Sequence, residues 1–127
     1  MAYVEFNNNP CGRRVGDCSV RAISKALGMG WESTHLMLDV NAISMGDMPS
    51  ADSVLSATLR QHGFYKHLVK EYTTVEDFCE EHPKGTFVLF LGGHVVTCID
   101  GDYYDSWDSG KEVPQYYWSK EEAKHEH

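Results

Sequence analysis

The chain has 127 residues, 42% of them hydrophobic and 24% charged, the size and balance of one globular domain with a continuous core. Its net charge of −8, from 11 Lys plus Arg against 19 Asp plus Glu, leaves no cationic cluster to displace counterions from phosphates, which argues against nucleic acid as a partner. There is no apolar window of the roughly 18 residues a membrane span needs, no signal-peptide pattern at the start and no Cys-x-x-Cys pair among the four cysteines, so the chain reads as cytoplasmic, without membrane, metal or cofactor.

Residues 1–16, rich in Asn, Gly, Arg and Pro, show no period and read as an N-terminal arm. Asp17 is placed to cap a helix running from Cys18 to Leu27, with apolar residues at 22, 23, 26 and 27 and a stop at Gly28. A second helix is expected over Trp31 to Ser44, with Leu36, Met37, Val40 and Ile43 at helical spacing. A third runs from Ala51 to His62 with Val54, Leu55, Thr58 and Leu59 inward. Thr74 and Asp77 form an approximate capping box for a short fourth helix through Glu81.

From Pro83 the period changes to that of strands. Thr86 to Leu91 is a nearly continuous apolar run, the pattern of a strand buried on both faces. Gly92-Gly93 separates it from a strand over His94 to Ile99, and Asp100-Gly101 is a two-residue hairpin signal leading into Asp102 to Trp107. Val113 to Trp118 reads as one more strand, placed at an edge by Pro114. Residues 119–127 read as a flexible or helical tail. The fold class is therefore α+β, one domain over 1–127, with N-terminal helices packed on a C-terminal antiparallel sheet.

A thiol becomes a nucleophile where its thiolate is stabilised, and unpaired N–H groups at a helix start do this. Among the four cysteines only Cys18 has that placement; Cys79 lies among acidic residues, Cys98 within a strand and Cys11 in a loop. If Asp100-Gly101 form the turn, Ile99 faces Asp102, Cys98 faces Tyr103, Thr97 faces Tyr104, and by extension Val96 faces Asp105 and His94 faces Trp107. Strand alternation then puts His94 and Asp105 on one face as diagonal neighbours, within reach of a hydrogen bond that would orient the imidazole.

Cys before His before Asp, with the Cys opening a helix that precedes a sheet, resembles the papain-like cysteine peptidase superfamily, and the His-hairpin-Asp portion is similar to its bacteriocin-processing peptidases. The segments Gly16-Asp17-Cys18-Ser19-Val20-Arg21-Ala22-Ile23, Gly93-His94-Val95-Val96 and Asp102 to Gly110 also resemble small uncharacterised papain-like proteins of phages and gut bacteria. So do Gly46 to Ala51 and Thr74 to Phe78. The resemblance implies a bacterial, phage-encoded setting and acyl transfer by a thiolate: Cys18 attacks a carbonyl, His94 moves the proton and Asp105 holds the ring.

Papain-like enzymes commonly place an oxyanion-binding Gln six residues before the Cys, where this chain has Gly12. The Cys18 N–H is one donor, and Asn9, fixed by Pro10, is the candidate for a second. Trp107 and Arg21 are candidates for a substrate groove, although Arg21 reads more simply as a surface salt bridge. The leading expectation is a cysteine peptidase or amidase acting on a peptide or protein substrate. A non-catalytic, host-directed binding module on the same scaffold and an acyl or amine transferase stay open, as does the oligomeric state.

Overall fold

The computed structural model describes residues 2–121 and contains, among them, four helices and a six-stranded mixed sheet, an α+β arrangement. Its centre is the apolar run foreseen from the sequence: β3 (Thr86–Leu91) pairs antiparallel with β4 (His94–Ile99), Leu91 opposite His94 across the Gly92-Gly93 turn. β4 then pairs with β5 (Asp102–Asp105) through a turn in which both Asp100 and Gly101 have positive φ, 50° and 85°, the signature of a type I′ hairpin. The register is Ile99 opposite Asp102, Cys98 opposite Tyr103 and Thr97 opposite Tyr104, and there the ladder stops. His94, Val95 and Val96 therefore run on free of β5, opening a gap at that end of the sheet.

Four expectations need correction. The N-terminal arm contains a strand, β1 (Ala2–Glu5), which pairs parallel to β5 and makes the sheet mixed and not purely antiparallel. A second unforeseen strand, β2 (Tyr65–Leu68), closes the other edge. The last strand, β6 (Tyr116–Ser119), is interior, between β3 and β2, because Pro114 precedes the paired residues and interrupts no ladder hydrogen bond. Ser119 thus ends a strand and does not begin a tail; the rest of the expected tail from residue 122 lies outside the described residues.

Helices α1 (Cys18–Leu27), α2 (Trp31–Met45) and α3 (Asp52–Gln61) cover one face of the sheet, where Val20, Ile23, Leu38, Leu55 and Leu59 pack with Val88, Phe90, Val95 and Trp118. Helix α4 (Val75–Glu81) covers the other, with Val75 and Phe78 against Phe87, Leu89, Val96 and Tyr103. The two sets alternate along β3, as a strand buried on both faces requires. The fourth correction concerns α2: its buried residues are Thr34, Leu38 and Ala42, while Leu36, Val40 and Ile43 lie on the opposite side, Ile43 81% exposed.

Two devices set the position of α1. Gly28 ends it in the left-handed conformation, φ 66°, its N–H turned back to the carbonyls of the last turn. On the sheet side, Thr97 Oγ1 donates to the Ala22 carbonyl at 2.6 Å, pinning the middle of α1 to β4. The start of the helix is thereby brought to the open end of β4.

Candidate active site

Cys18 is the first residue of α1, and the first intrahelical hydrogen bond there is donated by Arg21 N–H to the Asp17 carbonyl at 2.9 Å. The N–H groups of Cys18, Ser19 and Val20 therefore precede the helical ladder, and their dipoles converge on the start of the helix. Asp17 does not cap them, contrary to the sequence expectation. Its carboxylate accepts from Arg21 Nη1 at 2.7 Å and from Trp31 Nε1 at 2.9 Å instead.

His94 opens β4 beyond the last β4–β5 pair, and Asp105 ends β5. His94 Nε2 donates to Asp105 Oδ2 at 2.6 Å. With that nitrogen committed to the carboxylate, Nδ1 is left for the Cys18 thiol, which lies close enough to the ring for each group to shift the other's proton affinity. The Val95 backbone N–H, free of β5, lies near the Cys18 sulfur as well and favours its thiolate. Trp107 lies over the imidazole with ring centroids 4.9 Å apart and is itself 44% exposed, so it shields one face of His94 from water.

Asp105 has no exposed surface, and its carboxylate receives four donors. Oδ1 accepts from the Ser106 N–H at 2.8 Å and from Arg21 Nη2 at 3.2 Å; Oδ2 accepts from His94 and from Ser109 Oγ at 2.7 Å. A buried carboxylate is tolerated only with such partners. Ser109 is held in place by its own loop: Tyr103 Oη donates to Asp108 Oδ1, and the Glu76 N–H donates to the Gly110 carbonyl. Gly110 permits this close approach, since a Cβ there would overlap the Tyr103 hydroxyl.

The electrostatics follow from these contacts. Burial by itself pushes the Cys18 thiol up, but the His94 hydrogen bond, the Val95 N–H and the positive charges of His94 and Arg21 outweigh it, and the pKa falls below the ordinary thiol value. Burial likewise opposes charge on His94, yet the Asp105 and Cys18 hydrogen bonds and their negative charges raise it to about 9. Asp105 is lowered: desolvation is overcome by His94, Ser109 and the Ser106 N–H. All three shifts favour a thiolate beside an imidazolium beside a carboxylate.

Of the residues singled out from the sequence, Cys18, His94, Asp105 and Trp107 come together here. Arg21 joins them in a different capacity from either one expected. It is only 4% exposed and bridges Asp17 to Asp105, so it is neither a surface salt bridge nor open to a substrate. Asn9 stands apart, its Oδ1 accepting from the Cys11 and Arg13 N–H groups of its own turn. Sequence reasoning missed Ser109, Trp31 and the Val95 N–H. Only Ser109 had a signal, its place before Gly110 in a polar loop just after Asp105; the other two depend on contacts that no local pattern encodes.

No family model, curated protein or solved structure matches this chain.

Proposed function

We propose that the chain is a papain-like cysteine hydrolase cleaving a peptide or isopeptide bond through Cys18, His94 and Asp105. The observation that carries this reading is a helix-start thiol beside His94, whose Nε2 is held by a fully buried carboxylate. The Cys18 thiolate attacks the carbonyl carbon, and the resulting oxyanion is met by the Cys18 N–H at the start of α1. His94 gives its proton to the leaving amine as the C–N bond breaks, leaving a thioester. A water molecule then attacks the thioester as His94 takes its proton; the C–S bond breaks, the carboxylic acid departs and the Cys18 thiolate is restored beside the His94 imidazolium.

Two measurements test this. Iodoacetamide with peptide mapping should modify Cys18 at least about 10-fold faster than the exposed Cys11, because the thiolate is the reacting form. Equal rates at the two would overturn the reading. Hydrolysis of a mixed peptide library, followed by the new termini that appear, should vanish in Cys18→Ala while circular dichroism stays native.

Cleavage that survives in Cys18→Ala would assign the chemistry elsewhere. Interception of the thioester by an added amine would make the protein a transferase on the same triad. One observation favours a binding module as the second reading: the apolar stripe Leu36, Val40 and Ile43 on the outer face of α2. A partner retained in full by Cys18→Ala and His94→Ala would support it.

A further inference from the structure

Beside the start of α1 lies a cavity of about 330 Å³, the size of a small ligand site, and the chain on both sides of Cys18 forms its rim: Asp17 and Ser19 line it, with Val20 behind. Its far wall is one stripe of α2. Trp31, His35 and Asp39 follow one another at intervals of four residues, which stacks them along one helix face, with Leu38 alongside. The loop before α3 adds Pro49.

The wall is built to be rigid. Trp31 Nε1 is held by Asp17 Oδ2 at 2.9 Å, and its ring lies 5.0 Å from that of His35. His35 Nδ1 in turn holds Asp39 Oδ2 at 2.7 Å. The other carboxylate oxygen, Asp39 Oδ1, has no hydrogen-bond partner among the described residues, and the side chain is 34% exposed.

The charge around the cavity is negative. Cys18 and His94 together carry no net charge on whichever of them the shared proton sits, and Arg21 offsets only one of the two carboxylates it bridges, Asp17 and Asp105. Asp39 adds a further acidic group, and no Lys or Arg among the described residues lines the space. A side chain entering here meets apolar surface from Val15, Val20 and Pro49 along its length, an indole face at its side and an under-used carboxylate oxygen at its end. That combination suits an aliphatic stem carrying a cation.

We infer that this cavity is a substrate subsite for a lysine or arginine side chain, with Trp31 and Asp39 as its specificity-determining residues. The inference rests on the proposed Cys18 chemistry and adds the class of substrate to it: a peptide with a basic residue next to, or one removed from, the bond attacked.

The test uses dipeptidyl vinyl sulfones carrying lysine or its uncharged counterpart norleucine at either of the two positions, with Cys18 modification followed by intact mass. Lysine should react roughly 10-fold faster than norleucine at one position, the range of a cation–π contact joined to an ion pair. Asp39→Asn, which keeps the shape of the side chain, should bring that ratio close to one. Equal rates for lysine and norleucine on the wild-type protein, or a ratio that Asp39→Asn leaves untouched, would overturn the subsite. Iodoacetamide on the same samples separates the two levels: if it does not select Cys18, the active-site reading fails and the subsite with it. If it selects Cys18 and the lysine preference is absent, only the subsite is lost.

Discussion

Strand β4 carries a cysteine environment near each end, and the two are opposites. At its start, His94 and the Val95 N–H meet Cys18, whose thiol is pushed down. Four residues after His94, Cys98 meets Cys79 of α4 with sulfurs 2.9 Å apart, both side chains fully buried, and the Cys79 thiol is pushed far up. The second shift comes first from the contact with Cys98, which holds the Cys79 proton, and next from desolvation. Burial acts against the thiolate at both places. What separates them is the supply of donors: a helix start, a backbone N–H released where β5 stops, and an imidazolium at one end, and another thiol at the other. Reactivity along this strand is set by where the β4–β5 ladder ends.

The sharpest way to break that contrast is to remove the acid behind His94. In Asp105→Asn the amide cannot support the imidazolium, and a turnover loss of roughly 10³- to 10⁴-fold is expected, the scale of losing the orienting acid of a triad. The same change leaves buried Arg21 with Asp17 as its only carboxylate, so a stability loss of about 3 kcal/mol should accompany it. Peptide cleavage and a denaturant titration on one sample check both. A variant that loses stability yet keeps its cleavage rate would make Asp105 a structural acid and dissolve the distinction between the two ends of β4.

A smaller effect sharpens the contrast through pH. His94 is raised from its ordinary 6.5 to about 9, so the stability it contributes is complete below about 6.5 and is lost as pH rises towards about 9. Asp105 is lowered, so its contribution is present above the ordinary carboxylate range and is lost only as pH falls through its depressed value. The difference in melting temperature between wild type and His94→Gln should therefore shrink steadily from pH 6.5 to pH 9. Cleavage should fall over the upper part of that window, as the imidazolium loses its proton. A difference that is flat across the window would mean that His94 is uncharged in the native state.

Much of this site was legible in the sequence, and the reason is locality. Cys18 follows from a helix that opens after a polar loop, and the pairing of His94 with Asp105 follows from counting outward from Asp100-Gly101, since a two-residue turn fixes the register of everything beside it. The count carried further than the ladder does: pairing ends at Thr97 and Tyr104, and the opening that results is what admits Arg21 and Cys18. Arg21 was misjudged because its partner Asp105 is 84 residues away.

β1 was missed for the same reason, four residues whose only ladder lies some hundred residues on, along β5. α2 failed differently. Leu36, Val40 and Ile43 make as good a helical stripe as Thr34, Leu38 and Ala42, and periodicity cannot choose between opposite apolar faces of one helix.

The smallest expected effect tests whether the two ends of β4 are independent. Cys98→Val removes the contact to the Cys79 thiol but keeps an apolar side chain of similar size, so a cost of about 1 kcal/mol is expected, read as a fall of a few degrees in melting temperature. Val96 separates Cys98 from His94 on their shared face of the strand and is fully buried, so the packing around His94 is set by groups that the substitution leaves in place. The rate of Cys18 alkylation should accordingly stay within about twofold of wild type. A larger change would mean that the Cys79–Cys98 contact sets the position of β4 under Cys18, and the two cysteine environments would then have to be treated as one.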